Sequence, residues 1–266
     1  MSFNSGDLTQ SVRFKMDVPV SEGSNISNEH IIMIANEEIT SLYPKIQNIN
    51  KQIYSAIAAY DEGQSVYPLP HSCFGLLNEI RMGSEKIPSC EYEILGNLLR
   101  FHSIPEKPFD VIYQKKPAKL VPLLDPNSSN YGLTVSKVDL EHITVPMLPH
   151  EWFKDDELDF YTQHSFHPQL ENVAIEEIND RKLFLDTTGI MKGFYVCKAG
   201  ETVIPPIPSE LFPVLCQMVA ASTLAAQGDQ VAAQMISAGI DEKINDALEQ
   251  IALRSFSMPN FEPISW

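Results

Sequence analysis

The chain has 266 residues, 19 basic side chains against 35 acidic ones, a net charge of −16, 44% apolar residues and 20% charged residues. That length is ample for a sizeable core, and the composition excludes disorder of the whole chain. The acidic balance excludes a sequence-independent DNA- or RNA-binding surface and docking on an anionic membrane, both of which need clustered Lys and Arg. It is compatible with a protein that sits near DNA without adhering to it.

Residues 1–25 are polar, with Gly, Ser and Asn, and read as an N-terminal arm or a loosely held first strand. The opening MSFNSGDLTQSVRFKMDV has no apolar core of the signal-peptide kind. Ser27 offers an N-cap and Glu29 a first-turn negative charge. Ile31, Ile34, Ala35, Ile39 and Leu42 follow at three- and four-residue steps, which predicts an amphipathic helix over 27–43. Pro44 ends or kinks it, because Tyr43 is pushed out of the α region. The next stretch supports two readings. Ile46, Ile49, Ile53, Ile57 and Tyr60 continue a helical period, while the turn Asp61-Glu62-Gly63-Gln64 fits a hairpin from Ile53 to Leu69.

From 70 to 204 the helical period fades, and the stretch reads as the larger part of an inserted β-rich region, 53–204. Cys90–Leu95, Phe109–Tyr113, His142–Val145, Lys182–Leu185 and Gly193–Cys197 are short runs rich in β-branched and aromatic residues, the pattern of a small antiparallel β region. Residues 114–170 are loop-like, punctuated by Pro117, Pro122, Pro126, Pro146 and Pro149. Pro205, Pro206 and Pro208 lead into a helix over 210–227, the longest apolar run, which Pro213, Gln217, Ser222 and Thr223 mark as a buried helix of a soluble protein. Gly228 and Asp229 are a stop and a new cap, and Val231, Met235, Ile236, Ile240, Ile244, Leu248 and Ile251 form the stripe of a helix over 230–253. The two make an antiparallel αα-hairpin, in which Gly239 marks a close contact or a kink. The last residues, 255–266, are apolar and broken by Pro259 and Pro263, so they dock, on their own chain or on another.

No motif nominates a reaction. The four cysteines, Cys73, Cys90, Cys197 and Cys216, form no C-x-x-C pair and read as reduced thiols. Asp186-Thr187-Thr188-Gly189 is similar to an aspartic-protease loop, but an extra Thr intervenes and there is no second copy. Asp155, Asp156, Glu157, Asp159, His164 and His167 are ligand-type residues without a calcium-loop pattern or a third imidazole at helical spacing, so they read as an acidic solvated loop. Lys115, Lys116 and Lys119 read as a solvated turn. Phosphate-loop, dinucleotide and nucleophile-elbow patterns are missing. The expectation is no enzyme, no cofactor and no metal.

Taken in order, Val18-Pro19-Val20-Ser21, the helix core IIMIANEEITSLYP, YDEGQSVYPLP ending at Pro70, FDVIYQKKPAKLV at 109–121 and KGFYVCKAGETVIPPIPSELFPVLCQMVAASTLAAQGD at 192–229 carry a resemblance. The set resembles head-to-tail adaptor (connector, tail-tubular A-like) proteins of tailed bacteriophages. That resemblance favours the hairpin at 53–69. It implies an α+β fold: a helical bundle of helices 27–43, 210–227 and 230–253, with an inserted antiparallel β region and an extended C-terminal tail. The division is then a 1–25 arm, a 26–254 adaptor domain and a 255–266 docking tail. The implied function is a dodecameric ring beneath the portal that joins head to tail and lines part of the DNA channel. Its partners would be itself, the portal protein, tail proteins and passing DNA without specific binding, with no membrane. It would be assembled in the host cytoplasm and reside in the virion. Phe256, Met258, Phe261 and Trp266 would anchor the tail on the portal or a neighbouring copy. The tail departs from that family in lacking a basic finish. A tail-tube, tail-terminator or collar component is the alternative, and a hydrolase using Asp186 or His164 and His167 a more distant one.

Overall fold

In a computed structural model, the structure describes residues 3–17, 26–70, 73–124 and 130–256. The chain divides into two compact units, Met1–Lys45 with Ala118–Trp266, and Ile46–Pro117. Both limits of the smaller unit fall inside the stretch 26–254.

The expected helical bundle is not the architecture. Among the described residues the chain is rich in sheet, with strands in five small sheets. Five α-helices lie at the two ends of the sequence: α1 (Ser5–Lys15), α2 (Asn28–Ile49), α3 (Phe212–Ala226), α4 (Gln230–Ser237) and α5 (Ile240–Phe256). The bundle expectation assumed that the apolar stripes of three helices face one another. Instead α3 is apolar on all sides and is packed by α1, α4 and α5. The β segments, meanwhile, enclose cores of their own.

Helix α1 occupies part of the expected arm. Asn4 and Asp7 form a reciprocal capping box, Leu8 and Val12 are fully buried, and the Ser5 N–H donates to the Val203 carbonyl at 2.7 Å. Helix α2 starts as expected, with the His30 N–H donating to Ser27 Oγ. It does not stop at Pro44 but continues to Ile49. Pro44 sits on the exposed side, as does Thr40 four residues before it, whose carbonyl Pro44 cannot bond. Leu42, Tyr43 and Ile46 stay buried on the other side, so packing outweighs the local penalty. Ile32 is buried within the stripe, while Ile34 is only partly so.

The larger unit holds two four-stranded antiparallel sheets. One has the order Lys137–Val138, His142–Thr144, Lys182–Phe184, Glu177–Asn179. The other has the order Leu170–Ala174, Glu157–Tyr161, Tyr195–Lys198, Leu133–Thr134. Leu133, Ile143, Leu158, Phe160, Leu183 and Val196 form their shared core, each such side chain contributing about 1.5–3 kcal/mol on full burial. Asp159 is buried in this layer because its carboxylate accepts from the Asn172 and Gly200 N–H groups, at 3.0 and 2.8 Å.

In the smaller unit, Ser55–Tyr60, Phe109–Lys115, Cys73–Met82 and Glu85–Lys86 form one antiparallel sheet in that order. Val66–Pro68, Leu98–Phe101 and Tyr92–Leu95 form another. The hairpin expected over 53–69 is therefore absent. Both of its arms are strands, but Ser55–Tyr60 pairs with Phe109–Lys115 and Val66–Pro68 pairs with Leu98–Phe101. The two arms meet through side chains and not through backbone pairing: the Tyr67 ring packs edge-on against Phe101 of its own sheet and against Tyr60 and Phe109 of the other.

The expected helix over 230–253 is two helices. Ala238 leaves the helical region and Gly239 adopts φ +74°, so the chain turns between α4 and α5. The stripe splits at that point: Ile244, Leu248 and Ile251 are buried, whereas Val231 and Met235 are 68% and 76% exposed. Ser209–Ala226 is, among the described residues, the single stretch long and apolar enough to cross a membrane, and 56% of it is buried in the fold.

Candidate functional site

Phe256 is the last residue of α5, and its side chain, with Met258, Phe261 and Trp266, lies outside the described residues. The other motifs resolve into local structure. Asp186 is exposed, and its Oδ1 accepts from the Thr188 N–H at 2.9 Å. Hydrogen bonds from the Thr188 side chain and backbone hold its carboxyl below the usual range. That is an Asx turn closed by Gly189 at φ +80°, and the lowering comes from hydrogen bonds within the turn, with no second carboxylate among its causes.

His164 and His167 do not converge on a metal. Among the described residues no group of three or more His, Cys, Asp or Glu side chains is placed to hold one. His167 is part of a turn in which its N–H donates to Ser165 Oγ at 3.0 Å. His164 lines a groove of about 250 Å³ with Phe3, Phe166, Pro205, Pro208 and Phe212, where Phe3 and Phe212 are stacked. Asp156 pairs with Lys198 at 3.0 Å and accepts from the Phe153 N–H. All four cysteines are free thiols. Burial pushes Cys216 up to about 11 and Cys197 well above its ordinary value, so neither offers a thiolate nucleophile near neutral pH.

A second cleft draws on residues far apart in the chain. It has a volume of about 690 Å³. Helix α2 supplies one wall through Glu29, Met33, Asn36 and Glu37, and the other comes from Lys119–Val121, Asn130, Glu151 and Glu201. Asn36 anchors the two walls. Its Nδ2 donates to the Leu120 carbonyl at 2.9 Å while its Oδ1 accepts from the Leu120 N–H at 2.8 Å, so one side chain satisfies both backbone groups of Leu120 in a short strand. That strand, Lys119–Leu120, runs parallel to Glu201–Thr202.

Glu201 is held by a relay. Trp152 Nε1 donates to Asn130 Oδ1 at 3.3 Å, and Asn130 Nδ2 donates to Glu201 Oε2 at 2.7 Å. The Tyr161 hydroxyl donates to the Glu201 backbone carbonyl. Burial raises the Glu201 carboxyl above the usual range and Glu151 adds to this, while the Asn130 hydrogen bond, Lys119 and Lys198 oppose it. With four glutamates against Lys119, the cleft suits a cationic group and repels phosphate. Sequence spacing gave no signal for it, because its members come from positions 29 to 201. No protein-family model matches this chain, and no curated protein matches it significantly.

Proposed function

We propose that this chain is a structural, non-enzymatic virion protein, a head-to-tail adaptor whose copies form a ring between the portal and the tail and line part of the DNA channel. The observation that carries the reading is the ordered set of segments at 18–70, 109–121 and 192–229 that resembles such adaptors. The charge supports it: a bore that passes DNA must not bind phosphates, and a chain of −16 repels them. Exposed apolar side chains, among them Ile57, Leu95, Ile104, Leu140 and Met235, are surface suited to burial by neighbours in an assembly. The apolar residues Phe256, Met258, Phe261 and Trp266 serve as the arm that docks on the portal or on a neighbouring copy, since large apolar side chains dominate interface energetics.

The test is the mass of the portal ring by light scattering, alone and mixed with this protein. Gain of many copies of this chain by the portal ring is the expected result, and its loss on deletion of residues 257–266 is expected with it. A portal ring that keeps its own mass in the mixture overturns the reading. Closed rings formed with tail proteins in that case identify a tail component instead.

A further inference from the structure

Sheet edges are templates for pairing, and proteins blunt those that must stay single with charge, proline, bulges or brevity. The smaller unit treats the two sides of its four-stranded sheet differently. One side ends in Glu85–Lys86, two residues that are both charged, beside Cys73–Met82, whose register with its neighbour shifts twice. The other side ends in Ser55–Tyr60, with the sequence SAIAAY, six residues in unbroken register with Phe109–Lys115. It has no charge, no proline and no bulge.

No other described edge strand is comparable. Tyr92–Leu95 carries Glu93, Glu177–Asn179 carries Glu177, and Val66–Pro68 ends in proline. Leu170–Ala174 carries Glu171, with Asn172 at φ +56°. The remaining edges are two residues long. Among the described edges, the strand that matches Ser55–Tyr60 in length, regularity and lack of charge is therefore the same strand on another molecule.

We propose that Ser55–Tyr60 pairs antiparallel, about a two-fold axis, with the same strand of a second copy of this chain. The side chains fix the register. Ala56, Ala58 and Tyr60 pack against the core of the unit, and Ile57 points outward, 68% exposed, beside Ile112 on the neighbouring strand. Placing Ile57 opposite Ile57 of the second copy sets Ala56 opposite Ala58, so both core faces stay on the same side. Each exposed isoleucine then covers the other at the axis. A slip of one residue would put the core face of one copy on the outer face of the other. A ring whose copies all point the same way holds no two-fold contact between neighbours. The pair is therefore a contact separate from one between ring neighbours, and it does not depend on the adaptor reading.

The experiment uses the full chain alone, with no portal or tail protein. Light scattering over a dilution series is expected to show a dimer that dissociates to monomer. Ile57→Lys is expected to halve the mass at concentrations where the unaltered chain is dimeric, with an unchanged circular dichroism spectrum, since the side chain is exposed. Ile104→Lys, at another exposed isoleucine outside this strand, is expected to leave the dimer intact. A chain that is monomeric throughout overturns the proposal, as does a dimer that survives Ile57→Lys or one lost equally in Ile104→Lys.

Discussion

Glu201 illustrates how one residue couples the cleft to stability. Its carboxyl is raised chiefly by burial, so the folded state favours the protonated form more than the unfolded state does. The contribution to stability is therefore fully present below the ordinary carboxylate range and is lost as pH rises through the raised value. Glu201→Gln keeps the shape and an oxygen that can accept from Asn130, and it removes the ionisation. The variant is expected to be the more stable protein at neutral pH, with the difference from the unaltered chain shrinking toward zero in acid. Thermal midpoints measured across that pH range check the sign. A variant less stable at neutral pH, with the deficit vanishing in acid, would mean that the ionised carboxylate is needed.

At the scale of elements, Gly239 separates two helices that share one continuous apolar stripe in the sequence. Its positive φ is readily adopted by Gly and costly for a residue with a Cβ, although a Cβ there would meet no neighbour. Gly239→Ala is thus a backbone test free of packing effects, and it is expected to lower stability by about 1 kcal/mol, read by chemical denaturation. An unchanged or raised midpoint would show that α4 and α5 fuse without penalty. The same junction shows what sequence can and cannot tell. Local signals were legible: the Ser27 and Asp229 caps, the Gly228 stop, and strands around 92–95, 109–115 and 195–198. The Asn4 and Asp7 box of α1, with Leu8 and Val12 one turn apart, was equally local and went unread. What failed depended on distant partners. Pro44 is tolerated because the opposite face of α2 is buried, the arms of the expected 53–69 hairpin go to different sheets, and helix 210–227 is packed chiefly by α1, α4 and α5, meeting α2 through the Ser222–Glu38 hydrogen bond. The cleft failed in the same way, since no spacing rule links Asn36, Leu120, Asn130 and Glu201.

For the whole molecule the governing quantity is the charge of −16. It sets an opposed pair of expectations in salt. Self-repulsion destabilises the compact state at low ionic strength, and screening over a Debye length of about 8 Å near physiological salt relieves it. The thermal midpoint should therefore rise as salt is added from a dilute buffer. Affinity for DNA should be undetectable at physiological salt, because the chain offers few cations whose binding would release counterions. A gel-shift or fluorescence-anisotropy titration with duplex DNA reads this directly. Lack of binding fits a surface past which a genome slides, and the negative lining of the cleft formed by Glu29, Glu37, Glu151 and Glu201 works in the same direction. Salt-sensitive binding would instead reveal a basic face strong enough to override the net charge. The non-adhesive channel would then lose its physical support, and the ordered sequence resemblance would be left as the sole ground for placing this chain at the neck of a virion.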